Sequence, residues 1–197
     1  MSSTDAAQVA TRDVTKAEEL LKGMLGVVPD FPKKGIVFLD LFPLLRDPLA
    51  FETLITCFMH HLVTNTLHTS PNKKIDVVVG LDARGFLLGP IIALRLGAAF
   101  VPVRKAGKLP GECIKVEYEK EYGSDFFEMQ KDAIKPGQTC IVVDDLIASG
   151  GSALGAGELI KKLGGKTLEY LFLIELTFLQ GVKKLDAPTY SIVKQND

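Results

Sequence analysis

The sequence is poor in cysteine: Cys57, Cys113 and Cys140 are the only three among 197 residues. An odd number without metal-like spacing points away from a disulfide framework or a cysteine-based zinc site, and towards reduced thiols in a cytoplasmic protein. Excess charge of either sign is also missing, because 23 Lys plus Arg face 24 Asp plus Glu for a net charge of −1. That balance argues against a protein that coats nucleic acid, whose affinity comes from neutralising phosphates, although it leaves room for a local basic patch. No apolar run approaches the roughly 20 residues that cross a bilayer, so no membrane association is expected. The first thirty residues carry Asp5, Asp13, Glu18 and Glu19 and no apolar run after a basic start, unlike a secretory signal or transit peptide. His60, His61 and His68 sit in a polar stretch without the partners of a zinc site, and no Cys/His or Ser/His pairing stands out. The chain contains neither G-x-x-x-x-G-K-[ST] nor a G-x-G-x-x-G that opens a helix after its first sheet strand.

What is present is 47% hydrophobic sequence, enough for a single domain over residues 1–197 with a sizeable core. Residues 14–24 have helical apolar spacing, and 29–45 form an arm broken by Pro29, Pro32, Gly35 and Pro43, with one short strand from Ile36 to Leu39. Asp47-Pro48 should open a helix to about Asn65, with a loop from Thr69 to Lys74. Beyond it the apolar runs 75–80, 98–103, 139–145, 168–176 and 189–193 alternate with helical patterns at 86–97 and 152–163. Apolar strands without alternation, interleaved with helices, predict an α/β fold whose parallel sheet is flanked by helices. Ligands of such sheets gather beyond the carboxyl ends of the strands, here just after Gly80, Val103, Asp145 and Leu176. Residues 104–138 break the rhythm with a charged, glycine-punctuated insertion. The alternation of Ile114, Val116 and Tyr118, and again of Phe126, Phe127 and Met129, predicts paired strands, and an insertion at this edge suggests a lid.

The string IVVDDLIASGGSALGAGELI (141–160) carries the chemistry. An apolar strand runs into Asp144 and Asp145, then the small-residue turn Ala148, Ser149, Gly150, Gly151 and Ser152, then a helix. Glycines let backbone approach a ligand, and the first amides of a helix lack internal partners and carry the positive end of its dipole. That is a seat for a terminal phosphate, to which Ser149 and Ser152 add hydroxyl donors. Two acids beside it would repel an anion unless they met hydroxyls or a metal. A sugar phosphate resolves this, with its phosphate in the turn and its ribose hydroxyls on Asp144 and Asp145. An ordinary strand end before a capped helix also uses acids and glycines. The apolar run before the acids and the length of the small-residue loop after them favour the site.

This string closely resembles the phosphoribosyl-pyrophosphate signature of the type I phosphoribosyltransferases. The blocks DFPKKGIVFLD, VVGLDARGFLLGP, FVPVRKAGKLPGE, YEKEYGSD and IELTFLQG extend the likeness from about Asp30 to Ser191. Within that family they resemble the adenine phosphoribosyltransferases, above all fungal and other eukaryotic members. The resemblance implies the type I phosphoribosyltransferase fold, with a small N-terminal hood at about 27–45 and a flexible lid loop at about 104–123. It implies transfer of 5-phosphoribosyl from phosphoribosyl pyrophosphate to N9 of adenine, forming AMP and pyrophosphate in purine salvage. It also implies Mg2+, held mainly by substrate and water, and a homodimer.

Residue by residue, the resemblance puts the 5′-phosphate on Ala148 to Ser152 and the ribose on Asp144 and Asp145. The pyrophosphate falls to Asp82, Ala83 and Arg84, with a cis peptide at Asp82–Ala83, and to Arg104 and Lys105. Arg84 offers a forked cation to charge developing on the leaving group. Alternation alone does not choose among Glu117, Glu119 and Glu121; the resemblance makes Glu121 the acid/base partner of the purine and Tyr122 the cover over the ribose. Adenine falls to Val37, Phe38 and Leu39, with Leu176 opposite. Ala83 stands where many relatives carry Ser, and Leu39 where relatives often carry a charge. Another base specificity is opposed by the arm and the GLDARGF block. A sensor of phosphoribosyl pyrophosphate acting on DNA should show a helix-turn-helix or a basic face, and neither is evident. A catalytically weak paralogue is the alternative that Ala83 keeps open.

Overall fold

In the computed structural model, which describes residues 16–31, 34–119 and 124–196, the apolar runs after residue 75 assemble into one seven-stranded sheet. Two compact units are present, Met1–His60 and His61–Asp197. The larger contains β3 (Val77–Leu81), β4 (Ala99–Lys105), β5 (Cys113–Glu119), β6 (Ser124–Gln130), β7 (Thr139–Ile147), β8 (Lys166–Leu176) and β9 (Thr189–Gln195). Their order is β5-β6-β4-β3-β7-β8-β9. The five strands β4, β3, β7, β8 and β9 are mutually parallel. Val77, Val78, Val79, Cys140, Ile141, Val142 and Val143 are wholly buried, as strands covered on both faces must be.

Helix α5 (Gly85–Leu96) connects β3 to β4, and α6 (Gly151–Lys162) connects β7 to β8. The two crossovers step to opposite sides of the central pair β3 and β7, so right-handed connections place the helices on opposite faces. The strand order reverses between β3 and β7. A crevice therefore opens at their carboxyl ends, where the loops after both strands diverge. On the α6 side the core holds Val116, Tyr118, Phe127, Ala156, Leu159, Ile160, Tyr170 and Phe172.

The insertion at 104–138 supplies β5 and β6, an antiparallel hairpin that continues the sheet beyond β4. The alternating residues explain it: Val116, Tyr118, Phe127 and Met129 are buried, and the Tyr118 and Phe127 rings stack at 3.9 Å between centroids. Residues 120–123 at its tip lie outside the described residues.

In the smaller unit residues 16–24 form α1, followed by β1 (Gly26–Pro29), β2 (Val37–Asp40), α2 (Phe42–Leu45) and α3 (Pro48–His61). β1 pairs antiparallel with β2, so the arm predicted with one strand has two. Its turn is closed by Asp30, whose carboxylate accepts the Gly35 N–H at 2.7 Å. Asp47 caps α3 as its sequence suggests, its Oδ1 accepting the N–H of Leu49 and Ala50 at 2.9 and 3.0 Å. The helical run does not end near Asn65. It passes through a π-helical turn, Leu62–Thr66, into α4 (Leu67–Thr69). Within the larger unit that turn is tied down by a buried cluster. Glu169 on β8 meets His61 Nε2 at 2.9 Å and accepts the Thr66 hydroxyl, and the Tyr190 ring stacks on His61. These contacts between distant parts of the chain accompany the π-helical turn that carries the helix a few residues past its expected end.

Candidate active site at the sheet switch point

β7 carries its apolar run to Val143 and then projects two carboxylates at the crevice. Asp145 is buried and Asp144 half-buried, and the Asp145 N–H donates to Asp144 Oδ1 at 2.9 Å. Across the crevice the loop after β3 turns through a cis peptide at Asp82–Ala83, as expected from the resemblance. It delivers Arg84 to the N-cap position of α5, with Nε 3.0 Å from Asp145 Oδ2. A cation at the positive end of a helix dipole is placed against the dipole, so the neighbouring carboxylate offsets what the helix opposes. Burial pushes the carboxyls of both Asp144 and Asp145 above the usual range. Asp144 rises the more, the charge of Asp145 adding to burial, while Arg84 pulls both back.

The phosphate seat follows β7 directly. Gly150, at φ +82°, reverses the chain into α6, and no side chain caps the helix. The first intrahelical bond is donated by Leu154 to the Gly150 carbonyl, so the amides of Gly151, Ser152 and Ala153 have no acceptor within the helix. The loop is backed by a residue whose role sequence reasoning missed. Gly181 lies so close behind that a Cβ on it would overlap the Ala148 carbonyl, and a Cβ on Gly150 would overlap the Gly181 carbonyl. Gly181 lies 31 positions beyond Gly150 in the numbering, and no local pattern marks it.

These loops enclose a cavity of about 520 Å³ lined by Leu81, Asp82, Arg84, Asp144, Asp145 and the whole 148–152 turn. Tyr118 and Phe172 also line it; the alternation that marked Tyr118 as a strand residue gave no sign that it reaches the site. Arg104 and Lys105 close β4 one strand away. Arg104 Nε donates to Asp82 Oδ2 at 2.8 Å, which joins the two basic segments, while Lys105 Nζ stands 4.0 Å from Asp125. Ala83 is exposed at the turn and contributes no side-chain hydroxyl. Leu176 ends β8, half-buried, and is not among the described lining residues. Val37, Phe38 and Leu39 occupy β2 in the smaller unit, where Phe38 packs edge-on to Phe31 at 5.2 Å. Glu121 and Tyr122 lie outside the described residues. The arrangement offers, in one cavity, uncapped amides for a phosphate, two carboxylates for hydroxyls and a forked cation for a second anion.

The chain resembles known proteins over nearly its full described length. Residues 59–196 match the model of the phosphoribosyl transferase domain. Adenine phosphoribosyltransferase of Yarrowia lipolytica is 58% identical over 173 residues, covering 88% of this chain and 93% of its own. Adenine phosphoribosyltransferase 1 of Saccharomyces cerevisiae is 54% identical, covering 88% and 90%. The crystal structure of a Saccharomyces cerevisiae adenine phosphoribosyltransferase, complexed with adenine and an imino-altritol bisphosphate, superposes with a TM-score of 0.86. It is 52% identical and covers 90% of this chain and 98% of its own. The enzyme of Giardia lamblia complexed with 9-deazaadenine superposes at 0.79 with 33% identity, covering 91% and 98%. The chain therefore belongs to the phosphoribosyltransferase family, with the type I fold, and within it to the adenine phosphoribosyltransferases.

Proposed function

We propose that the protein transfers the 5-phosphoribosyl group of phosphoribosyl pyrophosphate to N9 of adenine, releasing AMP and pyrophosphate, as a purine-salvage pentosyltransferase. The observation that carries this reading is the union, in one cavity, of the Asp144–Asp145 pair with the uncapped start of α6 and with Arg84. Such a site suits a molecule that bears hydroxyls between two anionic ends. The 5′-phosphate takes the 148–152 turn, the ribose hydroxyls take Asp144 and Asp145, and the pyrophosphate takes Asp82, Ala83, Arg84, Arg104 and Lys105. Adenine is read by the backbone of Val37, Phe38 and Leu39 and by the side chain of Leu176.

The reacting carbon passes through a state with oxocarbenium character, base and leaving group on opposite faces, and its configuration inverts. Arg84 and Lys105 stabilise charge that grows on the departing pyrophosphate. Glu121 exchanges a proton with the purine, and Tyr122 and the lid keep water, the competing nucleophile, away from the ribosyl carbon. The residues fit a magnesium ion carried in with the substrate. Asp144 and Asp145 are hard oxygen donors of the kind magnesium takes beside substrate oxygens and water. Bound there, the ion neutralises charge on the pyrophosphate.

A homodimer in the cytoplasm completes the reading. The outward face of α5 supports the dimer, because Leu87 and Leu94, one heptad apart, are exposed together with Pro90. The decisive experiment measures AMP formed from phosphoribosyl pyrophosphate and adenine, with and without Mg2+, beside guanine and hypoxanthine. Magnesium-dependent AMP is the expected result. A preference for guanine would sink the adenine assignment, and no product with any base would leave only a binding paralogue.

A further inference from the structure

One buried carboxylate of the larger unit has no place in the chemistry above. Glu128, in the middle of β6, is only 2% exposed. It stands in register with Arg104 of β4 on one side and with Lys115 of β5 on the other, so the three side chains share one face of the sheet. Its Oε1 accepts the backbone N–H of both Lys108 and Leu109, each at 2.8 Å. Those amides belong to the turn that leaves β4 immediately after Lys105. Gly107, at φ +83°, permits the reversal, and the Lys108 N–H also reaches the Lys105 carbonyl at 3.2 Å. The folded-back turn presents the Lys108 carbonyl to Arg104 Nη1 at 3.2 Å, and the other edge of the same guanidinium donates to Asp82. An unbroken chain of polar contacts thus runs from Glu128 through the 105–109 turn and Arg104 to the loop after β3. Burying an ion is costly unless hydrogen bonds compensate. Here they do: the backbone donors and the charge of Lys115 outweigh burial and hold the Glu128 carboxyl below its ordinary value.

We propose that Glu128 is a positioning residue for the pyrophosphate end of the site: it clamps the turn after Lys105 and, through Arg104, fixes Asp82 and the loop that carries Arg84. The inference rests on the assignment of pyrophosphate to those loops. It predicts selectivity, since the 5′-phosphate seat on β7 and α6 is built without Glu128. In calorimetry, Glu128→Ala is expected to weaken magnesium pyrophosphate binding by about tenfold, while ribose 5-phosphate binding stays within about twofold. Glu128→Gln keeps the accepting oxygen and is expected to restore most of the affinity. Unchanged pyrophosphate affinity in Glu128→Ala, equal losses for both ligands, or a Gln variant as weak as Ala would each overturn the proposal. Hydrogen exchange in the unaltered protein adds a readout independent of how the variants fold. The Lys108 and Leu109 amides should exchange roughly 100-fold more slowly than open-loop amides, and exchange at the open-loop rate would overturn the clamp. Unaltered protein that binds ribose 5-phosphate but no pyrophosphate would instead overturn the pyrophosphate assignment, and this inference with it.

Discussion

Asp144 and Asp145 carry opposing demands. Ribose hydroxyls need acceptors, yet two adjacent carboxyls at a buried strand end repel each other and are poorly solvated. Burial, with the neighbouring charge, raises the Asp144 carboxyl well above its ordinary value. A carboxyl raised in the folded state holds its proton longer than the unfolded chain does. Its contribution to stability is therefore present below the unfolded value and is lost as pH rises through the folded one. The ligand-free protein should thus melt lower at neutral than at mildly acidic pH on account of this group. Asp144→Asn, permanently neutral, is expected to raise the melting temperature at pH 7 by about 2–4 °C, the shift that roughly 1 kcal/mol produces at this size. The same variant should bind ribose 5-phosphate at least about tenfold more weakly, a trade of function for stability. Thermal melts at two pH values with one calorimetric titration check both; a lowered melting temperature would contradict the burial argument. At Glu121 the expectation is kinetic. Glu121→Gln should lower kcat by about a hundredfold or more while leaving phosphoribosyl-pyrophosphate affinity within a few-fold, as general acid–base roles require. Equal turnover would remove Glu121 from the mechanism.

Among the elements, the turn between β7 and α6 shows how a loop comes to line the cavity. Its glycines were visible in the sequence, and so was their purpose, because uncapped amides at a helix start follow from local geometry alone. Its rigidity comes from elsewhere. Gly181, in the segment that follows β8, presses its backbone against Ala148 and Gly150, and a side chain there would overlap the Ala148 carbonyl. Gly181→Ala is expected to weaken ribose 5-phosphate binding by about tenfold or more while pyrophosphate binding is spared, measurable by titration of each ligand. Equal effects on both ligands would place the damage in the sheet instead of the loop. The β5–β6 hairpin makes a similar point. Alternating apolar residues, Tyr118 among them, marked its strands, but only pairing set Glu128 beside the basic turn and brought Tyr118 to the cavity.

For the molecule as a whole, the near-zero net charge of −1 hides a local pairing of opposite signs around the crevice. Each cation near the crevice stands beside a carboxylate: Arg84 with Asp145, Arg104 with Asp82 and Lys105 with Asp125. Helix α5 bears on assembly. Leu94 is 82% exposed on a stripe shared with Leu87 and Pro90, a costly placement for apolar side chains unless another surface covers it. Leu94→Glu is expected to convert a dimer into a monomer in analytical ultracentrifugation with little loss of monomer stability. A monomeric unaltered protein would remove the dimer from the proposal.

The sequence by itself determined the α/β class, the five parallel strands to within a few residues, and the two turns and the acids that line one cavity. These are local matters: runs of Val and Ile, glycines where backbone must approach a ligand, and a helix start with no cap. The second strand of the N-terminal arm, the π-helical turn held by Glu169, the backing by Gly181 and the Glu128 clamp were decided only by tertiary structure. The last three depend on segments well separated in the chain meeting at hydrogen-bonding or van der Waals distance. No local pattern encodes such a meeting; only the sheet order and its register bring it about.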